Sequence, residues 1–157
     1  MEQNENASNA ANTVAEAVLN KELLKKFNFW EKDRLESFKK WPFDDKSPCN
    51  TAKMAEAGFY WCGTDTDIDS AACFLCNKHL DGWEIDDDPW SEHFKHAPQC
   101  QFAKTQKAEK DLTVEEVLNI FEIMLKNNVE RKFTEEKKNI KQVIDQKRKE
   151  LTKAMMR

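Results

Sequence analysis

Five residues able to bind a borderline metal ion, one more than a tetrahedral site needs, stand in the order such an ion requires. Cys73 and Cys76 are separated by two residues, Cys100 follows, and His93 and His96 lie between. A Cys-x-x-Cys turn presents two thiolates to one ion, and a histidine with a further cysteine about twenty residues on can complete a Cys3His tetrahedron around Zn²⁺. His93 and His96 are one helical turn apart, so spacing alone admits either as the nitrogen ligand. A disulfide or redox reading of the pair leaves an odd cysteine among five and gives the histidine and Cys100 no task. The pattern predicts one structural zinc. A site closed by four protein ligands has no position for an activated water, so an enzyme is not expected.

A second chemistry lies along Lys78 to His96. Between Asn77 and Glu92 one lysine faces six acids. Asp81, Asp86, Asp87, Asp88 and Glu92 stand close to Trp83 and Trp90. Acids beside an exposed indole can hold a peptide's N-terminal ammonium while the ring covers its first small side chain. Lys78 and His96 can meet an anion such as a phosphate further along. Plainer roles compete: Asp86–Asp88 as a capped turn, and Trp83 as core.

Short elements must position these groups. The 12 residues at the N-terminus are rich in Asn, Ala and Ser, so residues 1–25 read as disordered or weakly helical. Thr13 with Glu16 resembles a capping box, and the helical spacing of Leu19, Leu23, Phe27, Trp30, Arg34, Leu35 and Phe38 predicts one or two helices before Trp41-Pro42. Ala52–Ala57 reads as a short helix closed by Gly58. Phe59–Cys62 and Ala71–Leu75 read as antiparallel strands, with a third from Leu80 toward Trp83. Asp88 as N-cap and Pro89 at the first helical position predict a helix carrying His93 and ending before Pro98. After a linker over 105–112, Thr113 and Glu116 form a capping box for one helix over 113–157, roughly 60 Å long at 1.5 Å per residue. Val114, Val117, Phe121, Met124 and Leu125 make one apolar face, and Phe133, Ile140, Ile144, Leu151 and Met155 continue a stripe near heptad spacing. A helix of this length cannot pack its far end on a small zinc domain, so the stripe needs another chain; a solvated tail is the alternative.

Composition narrows the function class. Of 157 residues, 34% are charged and 39% apolar, so the core is small and a metal would add cohesion. A net charge of −4 argues against broad nucleic-acid or membrane binding. From Lys126 to Arg157, however, eleven basic residues face five acidic ones. With no long apolar run and no signal-like N-terminus, an intracellular protein with reduced thiols is expected, Cys49 and Cys62 being small buried residues or spare thiols.

Arg34, Trp41, Gly58-Phe59, Cys73-Phe74-Leu75-Cys76, Trp83, Asp87-Asp88-Pro89, Glu92-His93 and Cys100-Gln101-Phe102 together resemble the baculovirus inhibitor-of-apoptosis repeat, the BIR domain, over about residues 30–104, which implies a zinc domain over 26–104. With one repeat and a long C-terminal helix, the chain is similar to the single-repeat members of that family. The resemblance implies an α+β fold, a three-stranded antiparallel sheet with short helices followed by one long helix. It also implies zinc held by Cys73, Cys76, His93 and Cys100, which leaves His96 for another role.

Carried over position by position, the resemblance implies that Asp81 and Asp87 bind a peptide's amine, that Leu80, Trp83 and Glu92 wall an alanine pocket, and that Lys78 and His96 face a phosphothreonine on a histone tail. It implies a scaffold of the chromosomal passenger complex at the centromere and spindle midzone, in nucleus and cytoplasm. Borealin-like and inner-centromere-protein-like helices would be held by Val117, Phe121, Met124, Leu125, Ile140, Ile144 and Leu151, with an Aurora-type kinase engaged indirectly. The rival reading is an apoptosis inhibitor that takes caspases or their antagonists in the same groove.

Three departures bear on the transfer. Asp81 stands where a glutamate is usual. Asn50-Thr51-Ala52 replaces a Thr-Pro phosphorylation site, with Ser47-Pro48 as a candidate substitute. Lys26 and Glu109 occupy places expected to be aromatic in a homodimer, with Phe27 and Phe29 as candidates to compensate.

Overall fold

The computed structural model describes residues 21–155, so the capping box at Thr13 and Glu16 lies outside the described residues. The chain divides into two compact units, one ending at Phe121 and one beginning at Glu122, within the last helix. In order, the elements are α1 (Lys21–Lys26), α2 (Glu31–Ser37), α3 (Thr51–Glu56), β1 (Phe59–Trp61), β2 (Ala71–Cys73), β3 (His79–Leu80), α4 (Pro89–His96), α5 (Gln101–Thr105), a 3₁₀ turn (Glu109–Asp111) and α6 (Val114–Met155). No described helix is long and apolar enough to cross a membrane.

Among the described residues the run before Trp41 forms two helices, α1 and α2, with Asn28 in a left-handed conformation (φ 52°) between them. That residue type tolerates the region at low steric cost. Its neighbours Phe27 and Phe29 both donate their amides to the Leu24 carbonyl, which closes α1. Asn50 caps α3 by accepting from the Lys53 amide at 2.9 Å. Gly58 follows with φ 91°, and a Cβ there would lie 2.8 Å from two ring carbons of Phe102. Only glycine meets both demands.

The sheet has the order β1-β2-β3 and is antiparallel throughout, with Phe59 opposite Cys73 and Ala71 opposite Leu80. The third strand is displaced from its expected place. It covers His79 and Leu80, and the chain then leaves the sheet at Gly82 (φ 69°). One Asp69 carboxylate oxygen accepts from both the Gly82 and Trp83 amides, at 3.0 and 3.2 Å, so those donors bind a side chain instead of a strand.

Phe59, Met54, Phe74, Leu75, Phe102, Ala71 and Ala72 are buried around this small sheet. Edge-on ring contacts join the cluster, with Phe59 5.2 Å from Trp83 and Phe74 5.0 Å from Phe102. Arg34 is the unexpected member. It is fully buried, its Nε donates to the Ala55 carbonyl at 2.9 Å, Nη1 donates to the Phe29 carbonyl, and the guanidinium lies 4.6 Å from the Phe74 ring centre. Glu109 supplies the countercharge 3.8 Å from Nη2 and also accepts the Glu31 amide, tying the 3₁₀ turn to α2. Burial pushes the guanidinium down to about 10 despite Glu109. Burial likewise raises the Glu31 carboxyl, with Arg34 opposing and Glu109 reinforcing the shift.

The first turns of α6 belong to this same core. Ile120 and Phe121 are buried, and Phe121 packs edge-on to Phe29 at 5.8 Å. The expected capping box is present: the Thr113 amide donates to Glu116 at 2.8 Å, and the Glu116 amide donates to the Thr113 hydroxyl at 3.2 Å. The helix runs 42 residues.

The expected partner-facing set on α6 divides. Phe121 is 4% exposed and Met124 fully buried, so neither presents surface to a second chain, whereas Ile140, Ile144 and Leu151 are 58%, 52% and 65% exposed. Val117 and Leu125 are intermediate. Periodicity marks all seven as apolar, but it does not say whose core they enter.

Candidate functional site

Cys73 ends β2, Cys76 closes the following turn, His93 lies on α4, and Cys100 is the residue just before α5. The turn is shaped by its own backbone. Asn77, left-handed at φ 56°, donates to the Cys73 carbonyl at 3.0 Å, and the Leu75 amide donates to the Cys73 sulfur at 3.3 Å. Asp88 and Pro89 start α4, with the Asp88 side chain accepting from the Trp90 amide. Within that helix His93 is fully buried, its Nδ1 2.8 Å from the Ala57 carbonyl and its ring 4.7 Å from Phe59. That contact turns Nε2 toward the sulfurs, as an outer hydrogen bond does for a metal-ligating histidine.

The four ligand atoms lie within 4.8 Å of one another. Cys73 Sγ is 4.0 Å from Cys100 Sγ, and Cys76 Sγ is 3.7 Å from His93 Nε2. Zinc–sulfur bonds of about 2.3 Å in a tetrahedron give sulfur–sulfur edges of about 3.8 Å, so the cradle fits Zn²⁺. His96 is not part of it. The proton chemistry agrees with a cation site. Hydrogen bonds from the Cys73 and Cys76 thiols hold the Cys100 thiol far below its ordinary range, while burial holds Cys73 well above it. At His93, burial pushes down, but the contacts with Cys100 and Cys76 outweigh it and carry the ring up to about 9. A bound ion would take the place of the thiol protons, with Cys73, Cys76, His93 and Cys100 holding it, and would cross-link β2, α4 and the start of α5.

The other two cysteines stand apart from the cluster. Burial raises Cys49 to about 12 and raises Cys62 as well, so both are poor nucleophiles.

Beside the metal cradle an open cavity of about 120 Å³ is lined by Leu80, Asp81, Gly82, Trp83, Asp87, Glu92 and His96. The structure thus brings together every residue assigned to the peptide amine and alanine pocket, with His96 at the same rim. Trp83 is core and wall at once: it is 7% exposed, packs on Phe59, and donates its Nε1 hydrogen to the Leu80 carbonyl at 3.3 Å. Asp87 accepts the Glu84 amide at 2.8 Å. Glu92 lies 3.2 Å from His96 and 3.1 Å from Lys95. Lys78 is exposed and is not among the lining residues.

Residues 34–104 match the family described as the Inhibitor of Apoptosis domain, BIR. Baculoviral IAP repeat-containing protein 5 of Rattus norvegicus is 41% identical over 120 residues, covering 72% of this chain and 84% of the rat protein. The Mus musculus protein of the same name is 42% identical over 120 residues, covering 72% and 86%. Baculoviral IAP repeat-containing protein 5.1-A of Xenopus laevis is 45% identical over 94 residues, covering 59% of each chain. The chain belongs to the inhibitor-of-apoptosis family. Its BIR domain binds one structural zinc ion, with Cys73, Cys76, His93 and Cys100 as the cradle.

Two expectations attached to the BIR resemblance meet obstacles. Ser47 is 6% exposed, with its amide donating back to Asp44 in a turn, so its hydroxyl is closed to a kinase in this fold. Phe29 is buried beneath Trp30, Phe74 and Phe121 and cannot compensate at a self-association surface. Sequence reasoning placed Arg34 among helix-spaced residues without foreseeing its burial, and it missed Asp69. A lone arginine in an apolar helix face and an aspartate before a strand carry no local mark of either role.

Proposed function

We propose that this chain is a non-enzymatic targeting and scaffolding subunit of the chromosomal passenger complex. The BIR groove receives the N-terminus of a histone tail bearing phosphothreonine. The long helix bundles with borealin-like and inner-centromere-protein-like helices in mitosis, and an Aurora-type kinase follows indirectly. The chain acts at centromere and spindle midzone, with nuclear and cytoplasmic pools; membrane contact has no part, and direct DNA contact is secondary.

The observation that supports the groove reading is the convergence of Leu80, Asp81, Trp83, Asp87, Glu92 and His96 on one open cavity. Two carboxylates beside an indole suit an ammonium with a methyl next to it. The third side chain of an extended peptide stands about 7 Å further along, which requires a cation outside the amine pocket. Lys78, exposed and outside the cavity lining, is the candidate for that cation, and a phosphate near His96 would compete with Glu92 for it.

Calorimetry with an Ala-Arg-Thr peptide in four forms, with and without phosphate and with and without an acetyl cap, tests this reading. Phosphate is expected to strengthen binding and acetylation to abolish it. Lys78→Ala or His96→Ala should erase the phosphate preference and leave the amine contact. Asp81→Asn is the cleaner amine-pocket variant, because Asp87 also holds the Glu84 amide. The family's name favours a second reading, an apoptosis inhibitor binding caspases or their antagonists in the same groove. Equal affinity for phosphorylated and plain peptides would select it.

A further inference from the structure

Six of the seven exposed large apolar residues described on the second unit fall into two rows with an eleven-residue interval, Val143 being the exception. Val129, Ile140 and Leu151 form one row at that interval, and Phe133, Ile144 and Met155 form another, four residues on. All six are exposed, at 68%, 58%, 65%, 71%, 52% and 87% in that order. A third row has the same interval: Lys126, Lys137 and Arg148. Lys137 follows Phe133 by four residues and precedes Ile140 by three; Arg148 holds the same relation to Ile144 and Leu151. Residues three and four apart are neighbours on a helix surface, so the basic row borders the apolar one along its length. Asp145 lies 3.8 Å from Arg148, and among the described residues neither Lys126 nor Lys137 has an ion-pair partner.

We propose that this surface is built for an acidic amphipathic helix whose own apolar residues recur every eleven residues. The proposal rests on the reading that α6 bundles with partner helices, and it specifies their chemistry and geometry. Eleven residues span three turns at 3.67 per turn, so the rows drift only about 20° on an ideal helix and call for a nearly straight, weakly right-handed packing. A heptad partner winds left-handed and leaves the rows within a few turns. The border is basic at Lys126, Lys137 and Arg148 and is broken by Glu130; its net charge selects acids opposite it and disfavours a second copy of this helix, whose 126–157 segment carries eleven basic residues against five acidic ones.

Two designed helical peptides of identical acidic composition, one with leucines at alternating four- and seven-residue steps and one in heptads, distinguish the geometries. Each is titrated into the zinc-loaded full chain by fluorescence anisotropy. The eleven-residue peptide is expected to bind about tenfold tighter or better, and Lys137→Glu with Arg148→Glu to weaken it by about tenfold while strengthening a basic counterpart. Equal or tighter binding of the heptad peptide, no response to charge reversal, binding of neither peptide, or self-association abolished by Ile144→Glu would each overturn the proposal. The underlying bundling reading is checked separately with Ile140→Glu and Ile144→Glu against recombinant partner helices. Retained partner binding there defeats that reading, whereas lost partner binding with both designed peptides bound alike defeats only the period and charge assignment.

Discussion

Arg34 holds backbone carbonyls from two segments while its ring-stacked guanidinium fills space between phenylalanines. Replacing it with Met keeps the volume but strands the Phe29 and Ala55 carbonyls and leaves Glu109 without its cation. A loss of about 3 kcal/mol in urea unfolding at constant zinc is expected, and a loss below about 1 kcal/mol would show that the hydrogen bonds are dispensable. The two glycines with positive φ separate conformational strain from crowding. Gly58→Ala incurs both, since its Cβ would meet Phe102, and should cost about 2–4 kcal/mol. Gly82→Ala meets nothing within 4 Å and should cost only about 1 kcal/mol. Equal losses at the two sites would mean that the Phe102 ring yields freely.

Among the elements, α6 carries one apolar pattern whose start is buried and whose far part is exposed, the part proposed to meet partner helices. Phe121→Ala should destabilise the first unit by about 3 kcal/mol, whereas Ile144→Ala should leave unfolding of the isolated chain nearly unchanged and weaken partner binding. Differential unfolding and partner titration on the same two variants check this division. At the helix start, Lys107 and the Thr113 amide hold the Glu116 carboxyl below its ordinary value of 4.5. A depressed carboxyl stabilises the fold above its unfolded value, and that support is lost as pH falls through the folded one. Amides of the first turn of α6 should therefore exchange hydrogen relatively faster, compared with mid-helix amides, from about pH 4.5 downward, and Glu116→Gln should flatten that dependence. The legible features were local ones. Cys-x-x-Cys, Asp88-Pro89, Gly58 and Thr113 with Glu116 each specify geometry within a few residues, and each appears where the pattern placed it. The length of β3, the burial of Arg34 and the split of α6 depend on Asp69, Glu109 and Phe29, which come from distant segments. No periodicity within one segment carries that information.

At the scale of the whole molecule, zinc joins pieces too small to cohere alone. The sheet strands have three, three and two residues, and the helices around them five to eight. Chelation of the metal, or Cys76→Ser, should collapse the near-ultraviolet signal of the Trp83 and Phe59 cluster, with most of the α6 helical signal outlasting it. Simultaneous loss of both signals would mean that α6 cannot stay helical without the zinc unit.

Glu92, His93 and His96 share the eight-residue helix α4, so the same element carries a metal ligand and two walls of the cavity proposed to take the peptide. Occupancy of the metal therefore decides whether a molecule has a groove at all. In a partly demetallated sample, a titration should show a reduced binding stoichiometry with an unchanged dissociation constant. Peptide stoichiometry thus becomes a direct assay of how much of the protein is correctly loaded, and affinities compared between variants carry meaning once their zinc content has been matched.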